Sequence, residues 1–478
     1  MLNIKNNREC FFDDWLIDTT ATTASFRVHQ PTLRECVLCH DEPWEGDGSD
    51  YHNFFYDSDA GIYRMYYLGW RFNGNTPVVC YAESHDGLNW EKPKLKICEF
   101  DGSLDNNIIL DNTMQKSIDN FMVFLDSNPA CPSEFKYKAV SADNVEIDGR
   151  IVHALVSYYS SDAIHFTRGG VITIKGAFDS LNVAFWDKNS NKYLAYFRSF
   201  HKATGDDGSW DPMCDIRDIR YIESDDFIHW SEPQLIDFGS APDIPLYTNN
   251  IQLYPRAPQI YIGLPTRYIE RKVWTDSFDE LCGRERRLER MKECRRYGLT
   301  VTDCVFICSR DGLHFKKYDE AFMRPLPENG RNWVYGDCYP ARGILETTSN
   351  IDGAESELSL YAHHNHWMGV PAELWRYTLR RDGFVSLHAG QQEELILTKL
   401  FLYSGENLFT NFETSAWGYI YFTLVDSDGQ EYCSCEYFGN STDRHIIIPD
   451  NAAAQLSGKP VRLKIRLRDA DIYSIQFK

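Results

Sequence analysis

The sequence predicts an all-β protein, a five-bladed β-propeller followed by a C-terminal β-sandwich, with one helical insertion in blade 4. The first observation is a repeat. The segment S-x-D-x-[L/I]-x-[W/F] occurs at residues 84–90 (SHDGLNW), 160–166 (SSDAIHF), 224–230 (SDDFIHW) and 309–315 (SRDGLHF), with a degenerate fifth copy at 380–386 (RRDGFVS). Successive aspartates lie 76, 64, 85 and 71 residues apart, too long for a solenoid unit and suited to a propeller blade with variable loops. The second is composition: 12 Trp, 28 Tyr and 28 Phe make the chain 14% aromatic, which favours strands and stacking surfaces. The third is alternation of aromatic and aliphatic residues between Asp/Asn/Gly turns, the pattern of antiparallel hairpins.

Two strand-like runs precede each copy of the repeat. Before the first are residues 52–56 and 62–68 (HNFFYDSDAGIYRMYYL), with 78–83 leading into the repeat; before the third are 182–186, 193–197 and 219–223. Residues 122–125 and 251–254 open the second and fourth units, and 341–345, 358–362 and 375–379 form the fifth. The repeat is then the turn after the third strand, with its Trp or Phe between blades. Residues 11–18 (FFDDWLID) are expected to supply the strand that closes the ring. The propeller is assigned to 1–390 and the sandwich to 391–478, where short alternating runs at 395–402, 417–424, 445–448 and 461–467 replace the blade pattern. One amphipathic helix is expected near 279–297 (DELCGRERRLERMKECRRY), between strands two and three of blade 4; its alternating Arg and Glu read as a solvated face, with a lid or subunit contact as the alternatives.

Charge excludes some partners. A formal net charge of -21 argues against nucleic acid or an anionic membrane, because phosphate binding needs a basic surface. No run approaches 18 apolar residues and the first ten lack an apolar leader core, so the expectation is a cytoplasmic protein. The 14 cysteines show no compact framework and read as reduced thiols. Cys36, Cys39 and His40 resemble half a zinc site without its second half, and His363, His364 and His366 lack a supporting carboxylate pattern. Cys433 and Cys435 share a strand face. No metal and no cofactor is expected.

Five blades carrying this turn, followed by a sandwich, resemble the glycoside hydrolases of the invertase/levanase and arabinanase type. FFDDWLID, DNNIIL (residues 105–110), SLNVAFWD (180–187), SRDGLHF and RLRDADIYSIQF (466–477) are similar to a little-characterised bacterial glycosyl-hydrolase-like branch of that group. The invertase-type W-x-N-D-P-x-G and R-D-P motifs are absent. The resemblance implies a glycosidase acting on a small oligosaccharide, a β-fructofuranoside or arabinofuranoside, through carboxyl groups flanking the scissile bond. It places the general base or nucleophile at Asp50, before the first strand of blade 1, and a transition-state or pKa-tuning Asp at Asp179, before blade 3. At the position of the family's general acid, a Glu opening blade 4, Asp243 is the carboxyl available. Asp119, Asp337 and Glu346 stand in reserve.

Blade geometry adds substrate candidates, because strand-one starts, strand-two ends and strand-three starts share one face. These are Trp70, Arg71, Arg198, His201, Arg217, Arg267, Tyr268, Asp303, His364 and His366, joined by Trp44, Glu45, Tyr247 and Asn249. Arginine forks and aromatic faces suit sugar hydroxyls and C–H surfaces. A carbohydrate substrate is the expected partner, with a homo-oligomer left open. Two alternatives remain: a non-catalytic carbohydrate-binding propeller, and a phosphorolytic glycosidase using Arg198, Arg217 and Arg267 to hold phosphate.

Overall fold

The recurring S-x-D turn is held by its own side chains. In the first copy Ser84 Oγ accepts the Asp86 and Gly87 backbone N–H groups, and Asp86 Oδ1 accepts those of Leu88 and Asn89 at 2.8 Å each. The same bonds recur around Asp162, Asp226 and Asp311, where a histidine ring nitrogen also meets the carboxylate. The fourth position of each copy is left-handed: Gly87 (φ 73°), Ala163 (φ 68°), Phe227 (φ 65°) and Gly312 (φ 79°). These aspartates are turn clamps.

A computed structural model describes residues 1–72, 74, 76–112, 118–202 and 215–478. Five antiparallel sheets follow one another in chain order. Blade 1 is Asp50–Asp57, Ile62–Gly69, Val78–Ser84 and Ile108–Leu110; blade 2 is Asp119–Leu125, Tyr137–Ile147, Arg150–Ser160 and Thr167–Thr173. Blade 3 is Val183–Asp187, Lys192–His201, Ile216–Ser224 and Gln234–Leu235. Blade 4 runs from Gln252–Tyr254 through a broken second strand (Ala257–Gly263, Thr266–Glu270) to Thr300–Ser309 and Phe315–Met323. Blade 5 has Tyr339–Pro340 and Leu345–Thr347 inside, then Glu357–His364 and Glu373–Leu379, and its outermost strand is Thr32–Cys39 from the N-terminal region.

That outer strand corrects the expected ring closure. Residues 11–18 do not pair into a blade. Phe12 is fully buried edge-on against Tyr254, Phe306 and Phe384, and Ile17 makes a single bridge to Thr398. FFDDWLID is apolar because it plugs a core, not because it forms a ladder. The strands Leu2–Lys5, Glu9–Cys10 and Ser25–Val28 join the second sheet, as does Val385–Ala389. This ten-stranded sheet is built on two long strands, Leu408–Asp426 and Val461–Phe477, and wraps a core that includes Leu408, Phe422, Leu463 and Ile465.

The expected helix near 279–297 is three short ones, Asp276–Glu280, Arg284–Glu293 and Arg295–Leu299. Gly283 (φ 72°) and an extended Cys294 interrupt the pattern. They lie between strands two and three of blade 4, as the pattern places them. Among the described residues no helix is long and apolar enough to cross a membrane.

Neighbouring blades are latched at the repeat. Tyr66 donates to the Ala163 carbonyl at 2.8 Å, Tyr196 to that of Gly312 at 2.7 Å, and Tyr361 to that of Gly87. Each buried hydroxyl thus ties one blade's middle strand to the next blade's turn. Tyr196→Phe is expected to lower unfolding stability by ~1–2 kcal/mol, because the Gly312 carbonyl loses its donor in a buried setting. Denaturant unfolding measures this; no change would mean the latch is decorative.

Candidate active site

The inner strands begin with a recurring distortion. Asp50, Asp119, Asn249 and Asp337 are each followed by a non-glycine residue in the left-handed region: Tyr51 (φ 54°), Asn120 (φ 58°), Asn250 (φ 49°) and Cys338 (φ 55°). The ladder register slips at the same place, between Asp50 and Asn53 and opposite Asp119. Such bends re-aim a side chain out of the sheet, at a cost of order 1–2 kcal/mol each. Buried asparagines hold the bent segments. Asn53 donates to the Phe121 carbonyl at 2.9 Å and accepts from the Val123 N–H at 2.8 Å, tying blade 1 to blade 2.

A cavity of about 680 Å³ lies where these bends meet. Asp50, Asp119 and Asp179 line it, together with Arg198, Arg217, Trp70, Tyr247 and His366. Asp50 is 2% exposed, and its Oδ1 has no hydrogen-bond partner among the described residues. Burial drives its carboxyl well above the usual range, and the nearby charge of Asp119 adds to the effect. Asp119 is pushed up to about 7 by burial, with Arg198 pulling the other way. Asp179 sits at the rim with an exposed side chain, ion-paired to the buried Arg198. Two carboxyls thus keep their protons unusually tightly, and a third stays with its arginine.

The rest of the wall is aromatic. Tyr51 and Tyr335 each donate to the Tyr247 hydroxyl at 3.2 Å, and that hydroxyl donates to the Asp179 carbonyl at 3.3 Å. Trp70 meets Trp367 edge-on at 5.9 Å, and Tyr297 of the helical insertion meets the same Trp367 at 5.0 Å. The insertion therefore helps to enclose the cavity.

His366 Nδ1 lies 3.8 Å from Asp50 Oδ2 and 3.0 Å from His363 Nε2. Burial depresses both imidazoles, His363 to about 3, so both are neutral. Asp50, His363 and His366 form the one group among the described residues with three metal-capable atoms within 4.8 Å. The hydrogen bond between the two rings uses His363 Nε2 and His366 Nδ1, and the other nitrogen of each ring is buried.

Of the expected site residues, Asp50, Asp119, Asp179, Trp70, Arg198, Arg217, Tyr247 and His366 line this cavity. Asp243 does not. It accepts from His201 at 2.8 Å beside a separate cavity of about 220 Å³, and Asp218, followed by Asp243, raises that histidine to about 9. Blade 4 starts its inner strand at the Asn249–Asn250 bend, so Asp243 lies too early in the chain to reach the funnel. Asn249 itself is buried, donating to the Leu181 and Tyr196 carbonyls.

Trp44 donates to Asn107 in the blade 1 core, and Glu45 is buried against Tyr67 and Lys92. Arg71 faces another cavity, of about 490 Å³, shared with Arg286 and Arg290. Arg267 and Asp303 neutralise each other across the blade 4 ladder. Asp337 accepts the Val334 N–H at 2.8 Å, and His364 bonds the Tyr377 hydroxyl at 2.8 Å; neither lines the cavity. Glu346 pairs with Arg256 and Arg381 at the surface. Tyr51, Tyr335, Trp367 and Tyr297 line the cavity without having been singled out. Their sequence trace is an aromatic next to a turn residue, as in SDY and HNHW.

No family model matches this sequence, and no curated protein matches it either. Among solved structures, a glycoside hydrolase is 12% identical with a TM-score of 0.43, covering 73% of this chain and 92% of its own. A GH32 β-fructofuranosidase from Bombyx mori is 10% identical with a TM-score of 0.42, covering 93% of this chain and 95% of its own. An N-acetylgalactosamine deacetylase from F. plautii, solved with blood group B trisaccharide, has the same identity and TM-score, covering 93% of this chain and 94% of its own. At such distances likeness assigns no chemistry, and what the cavity does must follow from its own residues. Those residues define a five-bladed β-propeller with a carboxylate, arginine and aromatic funnel.

Proposed function

We propose that the cavity cleaves a glycosidic bond, with Asp50 as general acid and Asp119 as general base or nucleophile. The observation that supports this reading is the pairing of two buried carboxyls with unequal proton affinities in one aromatic-walled cavity. Glycoside cleavage needs one carboxyl that donates a proton to the leaving oxygen and one that is ionised on the other side of the sugar. Among the described residues no cation and no donor to its Oδ1 stabilises an ionised Asp50, so it is the carboxyl that keeps its proton. Asp119 is close enough to Arg198 for its charge to favour ionisation, so it gives its proton up first. This reverses the part that the family resemblance implies for Asp50. Asp179 fixes the Arg198 guanidinium at the rim, and Trp70, Tyr247 and Trp367 offer flat faces to a sugar ring.

The cavity volume suits a short saccharide. A screen of aryl and oligomeric glycosides, β-fructosides and arabinofuranosides included, tests the reading. Cleavage of at least one of them, retained in excess EDTA and lost in Asp50→Asn, is the expected result. Sugar binding without turnover of any substrate would instead support a non-catalytic propeller. Activity abolished by EDTA and restored by a divalent ion would move the chemistry to Asp50, His363 and His366.

A further inference from the structure

Arg217 occupies a setting that a neutral sugar does not explain. It enters the cavity from strand Ile216–Ser224 and is 6% exposed. Its guanidinium makes no hydrogen bond or ion pair with any described residue, and its Nε is buried without a partner. Tyr268 lies under the guanidinium at 3.9 Å, with Phe200 at 5.3 Å and Tyr247 at 5.9 Å. These rings hold the group in place and leave its charge unneutralised. Elsewhere in the fold, buried Arg8 meets Asp382 and Asp443 and buried Arg376 meets Glu35 and Glu357, while buried Arg287 and Arg290 donate to backbone carbonyls.

Charge around the cavity makes the deficit plain. Asp179 is committed to Arg198, burial makes Asp50 hold its proton tightly, and Asp119, raised to about 7, has its charge favoured by Arg198. Arg198, itself 4% exposed, leaves its Nε without a partner among the described residues and lies close enough to Arg217 to disfavour the second charge. A buried, unpaired cation is expensive unless a bound group neutralises it. A planar fork aimed into a cavity matches an oxyanion.

We propose that Arg217, with Arg198 beside it, forms an anion subsite, so that this cavity takes a saccharide accompanied by a carboxylate or phosphate oxyanion. The inference rests on the carboxyl-pair reading for its chemistry but on Arg217 alone for binding. Two sources supply such an oxyanion. It is part of the substrate, as in a uronide or sugar phosphate, or it is free phosphate acting in place of water. In the second case a phosphate oxygen bonds to the anomeric carbon as the glycosidic C–O bond breaks. The leaving oxygen takes the Asp50 proton, and the product is a glycosyl phosphate.

The test is calorimetric binding and thermal shift on the full chain with matched pairs. Glucose is set against glucuronate and glucose 6-phosphate, galactose against galacturonate, and inorganic phosphate is measured alone. At least one anionic probe is expected to bind about tenfold or more tightly than its neutral counterpart, with the preference shrinking as salt rises. Arg217→Met should erase the preference and raise the melting temperature of the unliganded protein, and Arg217→Lys should restore part of the preference. A merely structural Arg217 predicts a lower melting temperature instead. Binding of phosphate alone selects the free co-substrate; binding of uronate or sugar phosphate alone selects the substituted sugar. Equal binding within every pair, or an unchanged preference in Arg217→Met, overturns the proposal. Because none of these readouts needs turnover, the subsite can stand if hydrolysis is never found, and it can fall while neutral glycosides are cleaved.

Discussion

Asp119→Asn should reduce kcat/KM by about a thousandfold while leaving the fold intact, and Asp50→Asn should do at least as much. Losing a positioned general acid or base removes about 10²–10⁴ in rate. Both side chains sit at strand-start bends that asparagine tolerates, so secondary structure should not change. The pH dependence separates the two roles. Asp119 must be ionised to act, and its carboxyl is raised to about 7, so activity climbs as pH rises through about 7. At higher pH it declines as Asp50 gives up the proton that it must donate. The profile is a bell whose limbs belong to the coupled pair.

Stability should move the opposite way. Asp119 binds its proton more tightly folded than unfolded, where an ordinary aspartate titrates near about 4. Its contribution is therefore fully present below about pH 4 and is lost as pH rises through about 7. Asp119→Asn cannot ionise, so above pH 7 it should melt at a higher temperature than the wild type, a stability gained where function is lost. An acid limb far below 7, or a variant that melts lower at pH 8, removes Asp119 from this role.

Much of the architecture was legible because the repeat is local chemistry. A serine and an aspartate two apart bond the next backbone amides wherever they occur, and four copies in order count four turns. Counting back from them found the Asp50 and Asp179 neighbourhoods. It failed at Asp243, since blade 4 carries extra loop residues before its bent start and the ruler has no way to measure an irregular insertion. Ring closure was misplaced for a related reason. An apolar run such as FFDDWLID looks alike whether it pairs as a strand or fills a core, whereas the true closing strand, TLRECVLC, is half polar because one of its faces meets solvent. Burial was the hidden variable at the site: Asp119 and Asp50 resemble any other turn aspartates until the fold removes water from them.

Asp382→Ala should be the most damaging single change outside the cavity, costing ~3–5 kcal/mol by leaving buried arginine charge uncompensated. In the degenerate fifth copy the aspartate no longer clamps a turn. It is fully buried and left-handed (φ 58°), and it accepts from Tyr254 at 2.7 Å, Arg256 at 2.8 Å, Ser474 at 2.7 Å, Asn411 at 3.2 Å and Arg8 at 3.3 Å. Tyr254 and Arg256 belong to blade 4, Asn411 and Ser474 to the ten-stranded sheet and Arg8 to the link between two of its strands, so one carboxylate joins the two. Burial opposes its ionisation, but Arg256 and Arg8 overcome that and hold it down to about 2. A depressed carboxyl stabilises the fold above its unfolded value, near about 4, and that stability is lost as pH falls through about 2. Denaturant unfolding between pH 7 and pH 2 should therefore show the gap between wild type and Asp382→Ala narrowing only at the acid end. Asp382→Asn, which keeps hydrogen bonding without the charge, should fall between the two at pH 7. If Asn behaved like wild type, hydrogen bonds rather than charge would hold the propeller to the sheet, and the narrowing at acid pH would disappear with it.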